Sequence, residues 1–568
     1  MNTPIGGPGG LPYAALSKKQ RYLKQKTALW NERSTWDPIW RELSELVQPR
    51  SGRFFLSDTN KGHNRYNKIY DSTGLRARRI LASGLMSGKT SPAKPWFKLT
   101  LPDAQLMEHQ NVKIWLKKVT EIMRDIFRAS NTYRALPTLY AELAGFGTAA
   151  AFLEADYKDV IRHYPTTIGE FSIAQNARGE VDTIYRYFSR PVIEVVGQFG
   201  YANCSQRVRN AYDQGNYYTT MVSIIHAVQP RHNSERDLRR KDAANMAWSS
   251  CWFEEAQSFG DEHDKLLRES GFKRFPALAP RWSVTGGDVY GDSPGMEALG
   301  DLKQLMHEQL RKGQGIDYQT NPPLQVPAAY RGQEHERLPG GIMYYDAAGG
   351  APPIKSAFDV DLRLDHLLAD IDDVRMRIDK SFYVDLFLMI ANIERSNVTA
   401  REIAEKQEEK LLMLGPVAEI LDDELLEPLV DFTFDRMVEA RLLPPPPREL
   451  AVGMPINIEF IGVLAQAQRA VGIGSVDRLL GVVGALAQLR PESLDKLNVD
   501  QIYDAYSDML GVDPEFIIAD ENVAIIRAQR AQEQQKQLAL AAAKPMADTA
   551  KTLSETDPNK PSMLQDQQ

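Results

Sequence analysis

The sequence predicts an α+β protein that is mainly helical. Three observations predict it. Long segments near both ends place apolar residues at three- and four-residue steps. The middle third drops to a period of two. Gly, Pro and Asn cluster at the joints between these segments. The 568 residues are 43% hydrophobic, 25% charged and 9% aromatic, which excludes global disorder. Two cysteines, Cys204 and Cys251, exclude a disulfide scaffold. No apolar run reaches the roughly 20 residues of a membrane helix. The start, MNTPIGGPGGLPYAA, lacks the basic and apolar regions of a signal peptide.

Residues 1–13 are Gly/Pro-rich and read as a flexible N-terminus. Ser17 to Asn31 reads as a charged helix. Asp37 then caps, and Pro38 opens, a second one. Asp71 or Ser72 caps a helix through Arg76, Ile80, Leu81 and Leu85, and Trp96 to Leu101 alternates as a strand. Amphipathic helices are predicted at about 104–128 and 131–143. Strands are predicted at 148–157, 161–164, 170–175, 181–188, 219–229 and 246–255, with NARGE at 176–180 as a hairpin turn and a short helix at 191–199. Trp282 and Val284 end a last strand. From Ser293 the pattern is helical, then 314–358 is Gly/Pro/Tyr-rich and reads as a small irregular subdomain. Val360, Leu364, Leu367, Ile371, Val374, Ile378 and Phe382 predict one helix over 359–386, roughly 35–40 Å long. MIANIERSNVTA reads as a polar loop, and Thr399 with Glu402 as a capping box. A helix at 417–442 stops at PPPP, a strand covers 455–460, and broken helices fill 463–541. Residues 542–568 read as a disordered tail.

Charge is uneven. Ala14 to Pro95 holds 17 Lys/Arg against 6 Asp/Glu, a balance of +11, while Ala400 to Ala440 holds 4 against 12, a balance of -8. Such segments serve either as solvated helix faces or as complementary patches between head-to-tail copies.

Several motifs approach catalytic chemistry and miss it. GLMSGKT at 84–90 has three residues where a phosphate loop needs four, and it ends a helix instead of opening one; a helix C-cap at Gly84 or Gly88 is expected. GDSPG matches a nucleophile elbow, but Pro294 has no N–H for the oxyanion hole, so Ser293 reads as a helix N-cap. The 9 histidines form no HxxxH pair, so no metal site and no cofactor are expected. The acids at 419–439 read as a solvated or interface face. Trp30, Trp36 and Trp40 read as core or interface anchors. No catalytic residue is expected.

The sequence resembles the head-to-tail connecting, or portal, proteins of short-tailed bacteriophages. RWSVTGGDVYGDSPGMEALGDLKQL, NVTAREIAEKQEEKLLMLGPVAEILDDELLEPLVDFTFDRM and INIEFIGVLAQAQR carry the likeness, with DSTGLRARRILASGLMSG and EVDTIYRYF. The resemblance implies a non-enzymatic virion protein at the capsid portal vertex, assembled in the host bacterial cytoplasm. It implies a ring, usually of twelve copies, through which double-stranded DNA passes nonspecifically. Implied partners are the terminase large subunit, tail adaptor and tail proteins, major capsid and scaffold proteins and internal ejection proteins; no membrane is implied. The chain would divide into a wing (14–292), a first stem helix (293–313), a clip (314–358), a second stem helix (359–386), a tunnel loop (387–398), a wing completion (399–462) and a helical crown with a barrel extension (463–541).

In that frame Asn392, Glu394, Arg395, Ser396 and Asn397 of the tunnel loop would touch DNA weakly. Asp361, Asp365, Asp372, Asp373 and Asp379 would line an acidic channel wall, leaving Arg363, Arg375, Arg377 and Lys380 for inter-subunit pairing or light phosphate contact. A wall without basic excess repels the duplex and lets it slide. Two other classes compete: a packaging motor ATPase-nuclease, which the defective phosphate loop opposes, and another virion protein such as a tail adaptor.

Overall fold

The computed structural model describes residues 16–54, 66–232, 235–237, 239–240, 242–255, 265–320, 324–325, 355–356, 365–393, 414–450, 455–462, 464–465, 483 and 523–537. Its elements, in order, begin with helices α1 (Lys18–Ser34), α2 (Asp37–Leu46) and α3 (Thr73–Lys89), strand β1 (Phe97–Thr100), and helices α4 (Ala104–Glu108), α5 (Gln110–Ala129) and α6 (Thr132–Phe146). The α+β middle follows: β2 (Ala150–Asp156), β3 (Val160–Thr166), β4 (Phe171–Gln175), β5 (Val181–Pro191), α7 (Val192–Phe199), α8 (Gln206–Asp213), β6 (Met221–Pro230), β7 (Trp248–Glu254), β8 (Arg268–Phe272) and β9 (Ala277–Leu278). Then come α9 (Pro294–Glu297), α10 (Leu299–Thr320), β10 (Leu324–Gln325), β11 (Lys355–Ser356), α11 (Asp365–Ser381), α12 (Val384–Ile393), α13 (Gly415–Leu421), a π-helical turn (Asp422–Leu426), α14 (Glu427–Glu439) and β12 (Asn457–Phe460). A last helix covers 523–537.

The chain forms two compact units, one of Met1–Lys98, Thr120–Leu443 and Ile458–Leu494, the other of Leu99–Val119, Pro444–Asn457 and Asp495–Gln568. In the smaller unit Val112, Trp115, Leu116 and Val119 are buried, and the Trp115 indole donates to the Pro444 carbonyl at 3.1 Å.

The larger unit is built around a five-stranded sheet, β4-β5-β6-β7-β8, each neighbour antiparallel. Successive side chains of a strand point to opposite faces. Ile224 accordingly joins Val192, Val195, Phe199 and Trp252 beneath α7 and α8, while Ile225 joins Tyr22, Leu29, Tyr185 and Phe253 beneath α1. A second sheet has the order β3-β2-β9. Exposed sheet edges invite unwanted pairing, and side chains close them here. The buried Arg33 guanidinium donates to the carbonyls of Gly169 and Phe171 beside β4, at 3.0 and 3.1 Å. Asn131 both donates to the His163 carbonyl and accepts its N–H on β3, at 2.8 and 2.9 Å.

The tryptophans act as core anchors. Trp40 is fully buried, stacks on Trp36 at 5.9 Å and donates to the Phe146 carbonyl. Ser293 is the N-cap of α9, accepting from Met296 N–H and donating to the Gly145 carbonyl at 2.9 Å.

Several local expectations are corrected. Helix α3 runs through Gly84 and Gly88 and is capped by Thr90; Gly84 is there because a Cβ would sit 2.2 Å from the Phe387 ring. Asp37 is already the first helical residue, with Trp36 at the cap. Trp282 lies outside any strand, next to isolated bridges from Arg281 to Thr148 and from Ser283 to Asp292. The helix expected over 359–386 is two helices. Tyr383 adopts φ 54, which ends α11 and turns α12 so that Leu386 and Phe387 are buried, Phe387 against α3. Helix α12 then occupies 387–393, where a loop was expected. Of the stretch 314–358, expected to be irregular, residues 314–320 continue helix α10, and β10 and β11 pair antiparallel with Leu324 opposite Ser356.

Candidate functional site

The described charged residues singled out between 365 and 380 fall on α11, which runs antiparallel to α10. Arg377 on α11 meets Asp301 on α10 at 3.1 Å, and Asp370 on α11 lies close enough to Glu308 on α10 to raise its carboxyl. Moving seven residues up one helix thus moves seven down the other. Ile371, Val374 and Ile378 form the buried stripe of α11, at helical spacing.

The arginines of α11 are bound within the chain. Arg375 reaches Asp71 at 2.7 Å and Asp372 at 3.1 Å. Arg377 reaches Asp301 and also Asp373, at 3.3 Å. Asp71 is a hub at the start of α3. Its Oδ1 accepts from the N–H and hydroxyl of Thr73, and its Oδ2 from Arg375 and Gln309. Burial alone would raise its pKa, but the Thr73 and Arg375 hydrogen bonds outweigh that and hold it below the usual carboxylate range. Asp379 pairs with Arg76 at 2.8 Å, and burial raises its carboxyl. Asp365, Asp372, Asp373 and Lys380 are exposed. The outer face of α11 therefore carries three acids and one lysine, with its two arginines drawn into intrachain pairs. Asp361, Arg363, Glu394, Arg395, Ser396 and Asn397 lie outside the described residues, and Asn392 lies in the last turn of α12.

The acidic segment behaves differently. Alpha helices α13 and α14 are joined through the π-turn, and Pro428 explains that turn. A proline inside a helix cannot bond to the fourth carbonyl back and its ring clashes there, and that carbonyl belongs to Glu424. Side chains two apart on a helix face different sides, so Asp422 and Glu424 are gripped separately. Lys89, the lysine of GKT, is buried and donates to both Asp422 oxygens at 2.7 Å and to the Ala418 carbonyl at 2.9 Å. Burial lowers the Lys89 ammonium pKa and raises that of Asp422. Opposite, Glu424 accepts from the Arg281 backbone N–H at 2.8 Å and from its guanidinium, Nε to Oε1 at 3.0 Å. Arg281 is buried and also reaches Gln175 and the Gly179 carbonyl. Further along, Arg274 pairs with Asp431 and Asp435, and Lys273 with Glu439.

The basic N-terminal segment also pairs inside the chain: Lys18 with Glu269, Arg21 with Glu235, Lys26 with Glu255, Lys68 with Glu45. Among the described residues, part of the uneven charge is thus met by intrachain contacts. Sequence reasoning missed Lys89, Arg281 and the hub role of Asp71. A lysine inside an apolar helix and a proline inside an acidic one were the available signals.

Among the described residues no group of three or more His, Cys, Asp or Glu could hold a metal ion. His226 is a satisfied core histidine. Its Nδ1 accepts from Arg186 at 2.7 Å, Ser250 lies 2.8 Å from Nε2, and Trp252 stacks on the ring at 3.9 Å. Among the described residues no helix is long and apolar enough to cross a membrane.

Fold and site together define a mainly helical α+β protein whose charged side chains largely hold distant segments together. The chain belongs to the bacteriophage head to tail connecting protein family, whose model matches residues 19–518. It is 49% identical over 553 residues to a probable portal protein of Bordetella phage BPP-1, covering 97% of this chain and 98% of that one. It is 46% identical over 551 residues to a portal protein of Salmonella phage epsilon15, again covering 97% and 98%. A chain in the neck of an empty gene transfer agent particle is 12% identical over 77% of this chain and 92% of its own, with a TM-score of 0.34, too low to transfer geometry. The chain is therefore a head-to-tail connecting protein similar to phage portal proteins, and not an enzyme.

Proposed function

We propose that the chain is one of twelve copies in a ring at the capsid vertex and that double-stranded DNA passes through it without sequence preference. In this reading α10 and α11 are the stem, and the tunnel loop begins after Ile393. The ring docks the terminase large subunit during packaging and the tail adaptor and tail proteins afterwards. The major capsid and scaffold proteins surround it, internal ejection proteins meet it, and it assembles in the host bacterial cytoplasm.

One observation carries the channel reading. Helix α11 presents Asp365, Asp372 and Asp373 outward while Asp71, Asp301, Asp372 and Asp373 engage its arginines. Each lysine or arginine that neutralises a phosphate releases counterions and adds affinity. A wall with its arginines tied down leaves the duplex free to slide. End-on negative-stain imaging of the purified protein tests the ring, with about twelve-fold symmetry around a hole as the expected result. A shell-forming hexamer or a fibre would overturn it, and ATP hydrolysis by the pure protein would revive the motor reading.

A further inference from the structure

Helices close both faces of the five-stranded sheet, and the two covers are fastened differently. On one face α7 and α8 bury Val192, Val195, Phe199 and Val208, with Cys204 between the two helices. On the other, α1 buries only two apolar side chains ahead of Arg33, Tyr22 and Leu29, over a floor that includes Cys251. Lys19 is buried with them, and Leu23 and Trp30 are half-covered at the margin. Charge supplies much of the remaining hold. Lys18 meets Glu269 on β8, Arg21 meets Glu235 at 2.7 Å, and Lys26 meets Glu255 at 2.8 Å. All six side chains stay partly in solvent. Such pairs are weak and are screened by salt. Two neutral bonds join them: the Tyr22 hydroxyl lies 2.8 Å from Ser249 Oγ, and the Tyr185 hydroxyl donates to Gln25 Oε1 at 3.2 Å.

Lifting α1 strands none of the three acids. Glu269 keeps Arg231 at 3.1 Å, while Glu235 and Glu255 already reach water. The helix also carries its own capping box, Ser17 with Gln20, so its first turn stays capped away from the sheet. Its last turn is held otherwise. The buried Arg33 guanidinium donates to the Gly169 and Phe171 carbonyls and lies 4.1 Å from the Trp30 ring centre. A buried charge with such bonds does not leave cheaply.

We propose that α1 is a releasable strap: residues 18–29 lift from the sheet together while Arg33 pins the last turn, and ionic strength sets how often they lift. This does not depend on the ring reading above. Lifting uncovers Cys251 and leaves Cys204 beneath α7 and α8, so the two free thiols report the two covers separately. The test labels the unassembled full-length protein with N-ethylmaleimide, an uncharged thiol reagent, and reads each cysteine by peptide mass spectrometry. Cys251 should label at least about tenfold faster than Cys204, and that ratio should grow by about tenfold between about 0.1 M and 1 M NaCl. Glu235→Gln with Glu255→Gln should raise the Cys251 rate at low salt and flatten its salt dependence, with Cys204 unchanged. Hydrogen exchange gives a second reading on the wild-type chain: amides of residues 18–29 should open with the same salt dependence as Cys251. If both thiols label at one common rate at every salt concentration, only global unfolding uncovers them and the proposal fails. A Cys251 rate that ignores salt, or α1 amides that stay closed while Cys251 reacts, overturns it as well.

Discussion

Helix α11 and the α13–α14 segment are both acidic, yet they treat their acids in opposite ways. Along α13–α14 the acids are bound by basic residues from far away in the chain: Asp422 by Lys89, Glu424 by Arg281, Asp431 and Asp435 by Arg274. On α11 the arginines are bound both by distant Asp71 and Asp301 and by neighbouring Asp372 and Asp373, and Asp365, Asp372 and Asp373 remain at the surface. Burial of the counter-ion separates the Asp422 and Glu424 pairs from those of α11, while Arg274 and its acids stay partly exposed. Lys89 and Arg281 are buried, whereas Arg375 and Arg377 stay partly in solvent. An ion pair with a buried member must hold, because either charge left alone inside the protein is costly. An exposed pair contributes about 0–1 kcal/mol and can be rearranged. One acidic segment is therefore a fixed brace and the other an available surface.

The brace should break hardest at Arg281. Replacing Arg281 by Ala strands Glu424 and removes the bonds to Gln175 and Gly179. It should cost about 3–5 kcal/mol in urea unfolding of the unassembled chain. The double change Arg281→Met with Glu424→Met should recover most of that loss, since apolar replacements leave no charge stranded. A loss below about 1 kcal/mol would mean the brace does not hold the segment.

Glu142 is a buried acid held by neutral donors, and it sharpens the contrast. It accepts from Gln48 at 2.8 Å, from the Thr167 hydroxyl and from the Ile168 N–H, and burial pushes its pKa up to about 7. Because the folded pKa lies above the unfolded value of 4.5, its contribution is fully present below about pH 4.5 and is lost as pH rises through 7. At roughly 1.4 kcal/mol per pH unit the loss is about 3 kcal/mol. Glu142→Gln has no such titration, so its stability relative to wild type should rise by about that amount between pH 5 and pH 8. A constant difference across that range would show that Glu142 is already ionised when folded.

Most of the secondary structure was legible in the sequence, and most of the brace was not. Strands β2 to β7 were readable because alternation survives in a sheet with one helix-covered face on each side. Strand β8, RESGF, has almost no alternating apolar residue, and α8 is short and polar, so neither left a period to read. The break at Tyr383 left no Gly or Pro as a marker, since tertiary packing of Phe382 and Phe387 imposes it. The brace joins residues 143 and 333 positions apart, which no local pattern encodes. Ser293 was legible as a cap because its role is local. The charge imbalance was also legible, but whether an acid meets its own chain or a neighbour depends on the fold.

The smallest effect on folding belongs to α11, and it bears most directly on function. Asp372 and Asp373 pair with Arg375 and Arg377 only three and four residues away, in partly exposed positions. Replacing both with Lys should change unfolding free energy by no more than about 0.5–1 kcal/mol. In a ring the same change is repeated in every copy. It would remove two acids and add two lysines, while Arg375 and Arg377 keep Asp71 and Asp301. Each new phosphate contact should steepen the fall of DNA affinity with salt by about one unit of logarithmic slope. The doubly substituted ring should therefore bind duplex DNA more tightly at low salt, with a steeper salt dependence, and package more slowly. An unchanged salt slope in assembled rings would place this face of α11 away from the DNA path, because a repeated reversal of charge beside a polyanion must change how many counterions leave it.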